Sequence, residues 1–86
     1  MNILVVDDSK AMRMIVIRTL RQAGLGEHTF AEASNGAEAL KAIQASAPDL
    51  VLSDWNMPEM NGLELLNALQ AGGIRVKFGF VTSEVT

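Results

Sequence analysis

Ile3-Leu4-Val5-Val6-Asp7-Asp8 is a short run of strand-forming apolar residues that stops abruptly at two carboxylates. A second run of the same kind, Leu50-Val51-Leu52-Ser53-Asp54, follows Pro48-Asp49 and again ends in an acid. A third, Val76 to Val81, is interrupted only by Lys77 and Gly79 and leads into Thr82-Ser83. The apolar residues are continuous instead of alternating, as in parallel strands covered on both faces. Thr29 to Ala33 is a weaker candidate and reads as an edge strand.

Helical patterns fill the intervals. Between Lys10 and Ala23, the residues Met12, Ile15, Val16, Thr19, Leu20 and Ala23 recur at helical spacing. Ser9 or Asp8 is available as N-cap and Gly24 as the stop. Met14 and Ile17 add apolar surface off that stripe, which predicts contact with a neighbouring helix as well as the sheet. A second helix is expected from Gly36 to about Ser46, with Asn35 as cap, Glu38 three residues on, and Ala39, Leu40 and Ile43 inward. A third runs from Gly62 to about Gln70 with Leu63, Leu65, Leu66 and Leu69, closed by Gly72-Gly73.

The order β-α-β-α-β-α-β with right-handed crossovers predicts an open α/β fold, its parallel sheet flanked by helices on both faces. The 86 residues make at most one small domain. A hydrophobic content of 49% with 20% charged residues indicates a folded chain. Net charge is −3 and the seven basic residues are scattered, so no basic stripe marks a nucleic-acid partner. The absence of cysteine excludes disulfides and thiolate metal sites. The apolar start is too short for a signal-peptide core or a membrane span. The reading is of a soluble, cytoplasmic chain with no membrane insertion.

In sheets of this kind, chemistry gathers at the carboxyl ends of the strands. Asp7 and Asp8 end the first strand, Asp54 the third, and Thr82 and Ser83 follow the fourth. If the first and third strands are neighbours, three carboxylates share one shallow cleft. Such an all-oxygen cluster suits Mg²⁺, which can offset charge on a phosphoryl group approaching Asp54 as nucleophile. Thr82 and Ser83 would donate to its oxygens. Taken singly, each feature also has a plain reading: Asp-Asp as a turn and cap, a lone Asp as a turn residue, Thr-Ser as a loop. Their joint placement at three strand ends favours the chemical one.

These residues resemble the receiver domains of two-component response regulators. The match runs through Leu4-Val5-Val6-Asp7-Asp8-Ser9, Met12-Arg13, the stretch from Ser53 to Gly62, and Phe80-Val81-Thr82-Ser83-Glu84. Asp54-Trp55-Asn56-Met57-Pro58, with Met60 and Gly62, is most similar to chemotaxis regulators of the CheY type. The resemblance implies a flavodoxin-like strand order 2-1-3-4-5. It implies Asp54 as phospho-acceptor, Asp8 as direct Mg²⁺ ligand, Asp7 acting largely through water, Asn56 as a ligand through its backbone carbonyl, and Thr82 as switch hydroxyl. Pro58 and Gly62 match the turn opening the third helix, and Glu84 a position that tunes dephosphorylation. A histidine kinase would be the phosphodonor and a flagellar-motor protein an output.

The family pattern continues beyond residue 86 with a helix, a fifth strand and a last helix. A lysine after that strand has no counterpart here, because Lys77 lies before Thr82. Residues 1–86 are therefore expected to form a partial receiver domain, its fourth strand and first helix exposed for homo-oligomer formation. The alternative function is a Mg²⁺-binding or self-associating module without efficient phosphorylation. An aspartyl-phosphate phosphatase would need a carboxylate two residues after the nucleophile, where this chain has Asn56. Trp55 is expected either to cover the cleft edge or to contact a partner, Met12, Met14, Met57 and Met60 to pack, Gly79 to mark a close backbone approach or a poor fit to the strand, and His28 to be a solvated turn residue.

Overall fold

The computed structural model describes residues 1–54 and 60–81, with backbone alone at positions 25 and 81. Four parallel strands, β1 (Asn2–Val6), β2 (Thr29–Ala33), β3 (Leu50–Asp54) and β4 (Lys77–Val81), form one sheet in the order β2-β1-β3-β4. Ile3 pairs with Leu50, and Val6 with Ser53 on one side and Ala33 on the other. The first and third strands are thus neighbours, and Thr29–Ala33 is the expected edge.

Three helices connect them: α1 (Lys10–Leu20), α2 (Gly36–Ala45) and α3 (Gly62–Ala71). Each starts on a side-chain cap that satisfies a backbone donor the helix cannot pair internally. Ser9 Oγ accepts from the Met12 N–H at 3.3 Å, Asn35 Oδ1 from Glu38 and Asn61 Oδ1 from Glu64, both at 2.8 Å. Glu64 reaches back to the Asn61 N–H at 3.3 Å and completes a reciprocal capping box, a signal the sequence reading passed over. Glu38 does not reciprocate in this way; its carboxylate accepts from the Ser34 hydroxyl.

The core lies on the α2/α3 face. Leu4, Val6 and Val51 of the sheet meet Ala39, Ile43, Leu65 and Leu69 of the helices, with Phe78 packed against the cluster. Phe78 also meets Phe80 edge-on, ring centroids 5.2 Å apart. Period-two alternation sends Ile3 and Val5 to the opposite face, where α1 lies. Both are nevertheless buried, which is why β1 reads as an unbroken apolar run.

The first helix departs from expectation. It is regular only to Leu20, then widens into a π-type turn, Arg21–Leu25, that Gly24 ends with φ of 95°. That conformation is open to glycine at little cost, so the stop was read correctly. The facing was not. Met12, Val16 and Leu20 are half-buried as expected, but Ile15 is 53% exposed, Thr19 and Ala23 are exposed, and Ile17 turns partly inward. The apolar residues of α1 spread beyond one stripe between Met12 and Ile17, so packing decides which side faces in. On α3, Leu63 is likewise exposed. A Cβ at Gly79 would stand 3.2 Å from Leu52 Cδ2, so the tight neighbour there is a side chain and not the backbone.

Candidate functional site

The upper rim of the sheet is where β1 and β3 end side by side. Asp7 continues the β1 ladder, its N–H donating to the Ala33 carbonyl at 3.1 Å. Asp54 is the last residue of β3. The carboxylates of Asp7, Asp8 and Asp54 each bring an oxygen within 4.8 Å of the others. Asp7 is buried, Asp54 half-buried and Asp8 exposed, so the cluster opens to solvent on the Asp8 side.

The charge in this cluster costs free energy. Burial pushes the Asp7 carboxyl above its ordinary range, Asp54 and Asp8 push it further, and the Ser9 N–H donated to Oδ1 at 2.9 Å opposes them. A hard divalent cation relieves that repulsion, and a donor set made only of carboxylate oxygens suits such a cation. The residues present therefore fit the metal that the sequence predicted.

The surroundings hold the carboxylates in place. Arg13 donates through Nη1 to the Asp7 carbonyl at 2.7 Å and through Nε to Glu32 at 3.0 Å, tying the ends of β1 and β2 together. Ser53 is fully buried, and its hydroxyl donates to the Asp54 carbonyl at 3.0 Å. Gly62 lets α3 start directly against β3. A Cβ there would stand 2.5 Å from the Asp54 carbonyl oxygen and 2.7 Å from the Phe80 ring. Gly36 admits Met60 in the same way at the start of α2, its Cβ position lying 2.6 Å from the Met60 carbonyl oxygen.

Of the residues expected at this site, Asp7, Asp8 and Asp54 are brought together. Asn56, Thr82 and Ser83, with Trp55, Met57, Pro58 and Glu84, lie outside the described residues. Arg13 and Ser53 were given no role from sequence, although a lone serine in the apolar run before Asp54 was a usable signal. His28 is not simply solvated. Its Nδ1 stands 2.8 Å from the Met1 amino group, at the end of the sheet opposite the carboxylates.

A family model described as response regulator receiver domain matches residues 3–86. The chain belongs to that family. Among curated relatives, chemotaxis protein CheY1 of Helicobacter pylori J99 is 49% identical over 72 residues, covering 83% of this chain and 56% of that protein. Chemotaxis protein CheY of Pseudomonas aeruginosa is 44% identical over 71 residues, with the same two coverages. The chain spans about half the length of the curated relatives it matches.

Solved receiver structures agree in fold. Chemotaxis protein CheY4 of Vibrio cholerae superposes with a TM-score of 0.82 at 32% identity, covering 99% of this chain and 70% of that one. The response regulator TrrA of Thermotoga maritima, solved in complex with Mg²⁺ and BeF, gives 0.84 at 31% identity over 96% of this chain and 70% of that one. The CheY-like, flavodoxin-like fold of the receiver family is thereby established for this chain. Among the described residues, no helix is long and apolar enough to cross a membrane.

Proposed function

We propose that this chain is a phospho-accepting receiver module in which Asp54 takes a phosphoryl group from a histidine kinase in a Mg²⁺-dependent reaction. The observation that carries this reading is the convergence of Asp7, Asp8 and Asp54 at the carboxyl ends of β1 and β3. Asp54 attacks through a carboxylate oxygen. The new O–P bond forms as the donor's bond to phosphorus breaks, and water later returns the chain to its starting state.

Mg²⁺ would be held by Asp8, Asp54 and the Asn56 carbonyl, with Asp7 acting through water. When bound, it supplies charge that offsets the phosphoryl oxygens and the three acids. Arg13 and the Ser9 N–H fix Asp7, while Ser53 and Gly62 fix the backbone from which Asp54 projects. Thr82 is the switch hydroxyl and Ser83 a further donor to the phosphoryl group. The protein catalyses its own modification and is not a turnover enzyme. Its setting is the cytoplasm, without membrane insertion or nucleic-acid contact by this segment, and its output partner is a flagellar-motor or similar protein.

Intact-protein mass after incubation with Mg²⁺ and a small acyl phosphate tests the reading. A single phosphoryl adduct that requires both Mg²⁺ and Asp54, and is lost in Asp54→Asn, is the expected result. No adduct in the wild type overturns it.

A second reading treats residues 1–86 as a partial receiver that binds Mg²⁺ or self-associates through β4 and α1 without efficient phosphorylation. The exposed Met14 and Ile15 of α1 favour it. It predicts no adduct, yet a Mg²⁺-dependent rise in melting temperature.

A further inference from the structure

β2 is an edge strand whose outer side is open. Thr29 donates to the Met1 carbonyl and Ala33 accepts from Asp7, so these residues turn their backbone groups toward β1. Alternation along the strand then turns the N–H and C=O of Phe30 and Glu32 outward. Among the described residues these four groups have no partner. Unpaired edge groups are a template for another strand.

The side chains along this edge specify what that strand must carry. On the α1 face, the Arg21 guanidinium lies 5.3 Å over the Phe30 ring, and Arg13 pairs with Glu32. A groove beside them is lined by Met14, Ile17, Arg18, Arg21, Gln22 and Glu32. Residues 14, 17 and 18 of α1, with Arg21 just beyond its end, form one stripe at helical spacing. Among the described residues, Arg18 and Arg21 have no carboxylate partner. On the other face, exposed Ala31 and Ala42 border a crevice of about 250 Å³. A carboxylate opposite Phe30 would meet Arg21, and a small residue suits the position opposite Ala31, while Glu32 is already paired with Arg13.

We propose that a second copy of this chain fills that role, adding its own β2 antiparallel about a two-fold axis at Ala31. In that register Phe30 of each copy faces Glu32 of the other, and Ala31 faces Ala31. The outward N–H and C=O groups form two reciprocal pairs of hydrogen bonds. Each Glu32 carboxylate comes under the Arg21 of the opposite copy, and the two α1 stripes come side by side on one face. The edge is thus self-complementary in charge and size, as an isologous contact requires. A foreign segment would have to reproduce this order of an aromatic and an acid two residues apart, which β2 already has.

Charge reversal in mixed chains tests the geometry, without Mg²⁺ or phosphodonor so that the outcome is independent of Asp54 chemistry. Wild type is expected to dimerise with concentration in sedimentation equilibrium, and its Phe30 and Glu32 amides to gain exchange protection in the dimer. Arg21→Glu alone and Glu32→Arg alone should each weaken dimerisation roughly tenfold or more through like-charge contacts. An equimolar mixture of the two variants should restore it, as a heterodimer identified by native mass. A wild type that stays monomeric at millimolar concentration overturns the proposal, whether or not it takes up an acidic extended peptide at the same edge. So does a dimer insensitive to both substitutions, which would lie on another surface, or a mixture that fails to recover.

Discussion

The two faces of the sheet are built from similar residues but packed to different degrees. On one, α2 and α3 contribute Ala39, Ile43, Leu65 and Leu69, each at most 2% exposed. On the other, α1 has no buried residue at all, and Met14 and Ile15 stand about half exposed, at 51% and 53%. Composition accounts for part of this, since α1 sets Lys10, Arg13 and Arg18 among its β-branched and methionine residues, whereas α3 has Glu64 as its one charged residue. The number of helices differs as well. Two helices wedge against each other and close over Leu4, Val6 and Val51, whereas one helix can bury only the side it rests on. Burial, and with it hydrophobic stabilisation, follows the geometry of coverage.

Truncating a side chain on each face is the strongest way to break this comparison. Leu65→Ala removes a fully buried side chain between two helices and the sheet, with an expected cost of about 2–5 kcal/mol. For a chain of this size that lowers Tm by roughly 10 °C or more. Ile17→Ala, on the face with one helix, is expected to cost under about 1.5 kcal/mol, because the half-buried site exposes no closed cavity. Equal losses in thermal unfolding would show that the α1 face is as tightly packed as the other. Gly62→Ala comes next. Its methyl group meets a backbone carbonyl and an aromatic ring that cannot both move aside, so the expected cost is about 1–3 kcal/mol. The Mg²⁺-dependent rise in Tm should shrink with it, since the displaced carbonyl belongs to Asp54.

The packed face was also the more legible one. Asn35, Glu38, Ala39 and Ile43 announce α2 through a cap and a stripe, whereas α3 is legible from Leu65 and Leu69 alone, without its cap and with Leu63 exposed. β1 and β3 were readable because each is an apolar run with an acid at its end. The site followed from those two strand ends, and Asp7, Asp8 and Asp54 do converge. On α1, the run Met12 to Ile17 is apolar at five of six positions, so periodicity could not choose a side and Ile15 was placed inward. Ser53 was missed for a related reason. A lone hydroxyl inside an apolar run signals a polar partner, but the sequence does not say that the partner is the Asp54 carbonyl. Arg13 bonds to a backbone oxygen, and nothing in a sequence announces that acceptor.

The caps extend the comparison to a smaller effect. Asn61 takes part in a reciprocal box at the start of α3, while Ser9 makes one longer bond at the start of α1. Asn61→Ala is expected to cost about 1 kcal/mol and Ser9→Ala less. A larger loss from Ser9→Ala would mean that its place beside Asp7, more than its cap, sets its worth.

The smallest expected effect concerns the charge at the top of the α1 side. The Asp7 carboxyl is raised in the folded state, first by burial and then by Asp54 and Asp8. A folded state that holds this proton more tightly than the unfolded chain is favoured below the unfolded value, about 3.9 for an aspartate. It loses that advantage as pH rises through the raised folded value, because across this window the native state binds more protons. Asp7→Asn cannot ionise and keeps an oxygen for the Ser9 N–H. Without Mg²⁺, the variant should therefore gain stability relative to wild type as pH rises from about 4, with the difference levelling off once Asp7 is fully ionised. Adding Mg²⁺ should reverse the order at neutral pH, since only the wild type keeps the full set of negative ligands. The paired melting curves, with and without Mg²⁺, read both effects. A variant less stable than wild type at neutral pH without metal would mean that the buried carboxylate is better solvated in the folded chain than its surroundings indicate. The weak packing of the α1 face would then carry no electrostatic penalty at its upper rim.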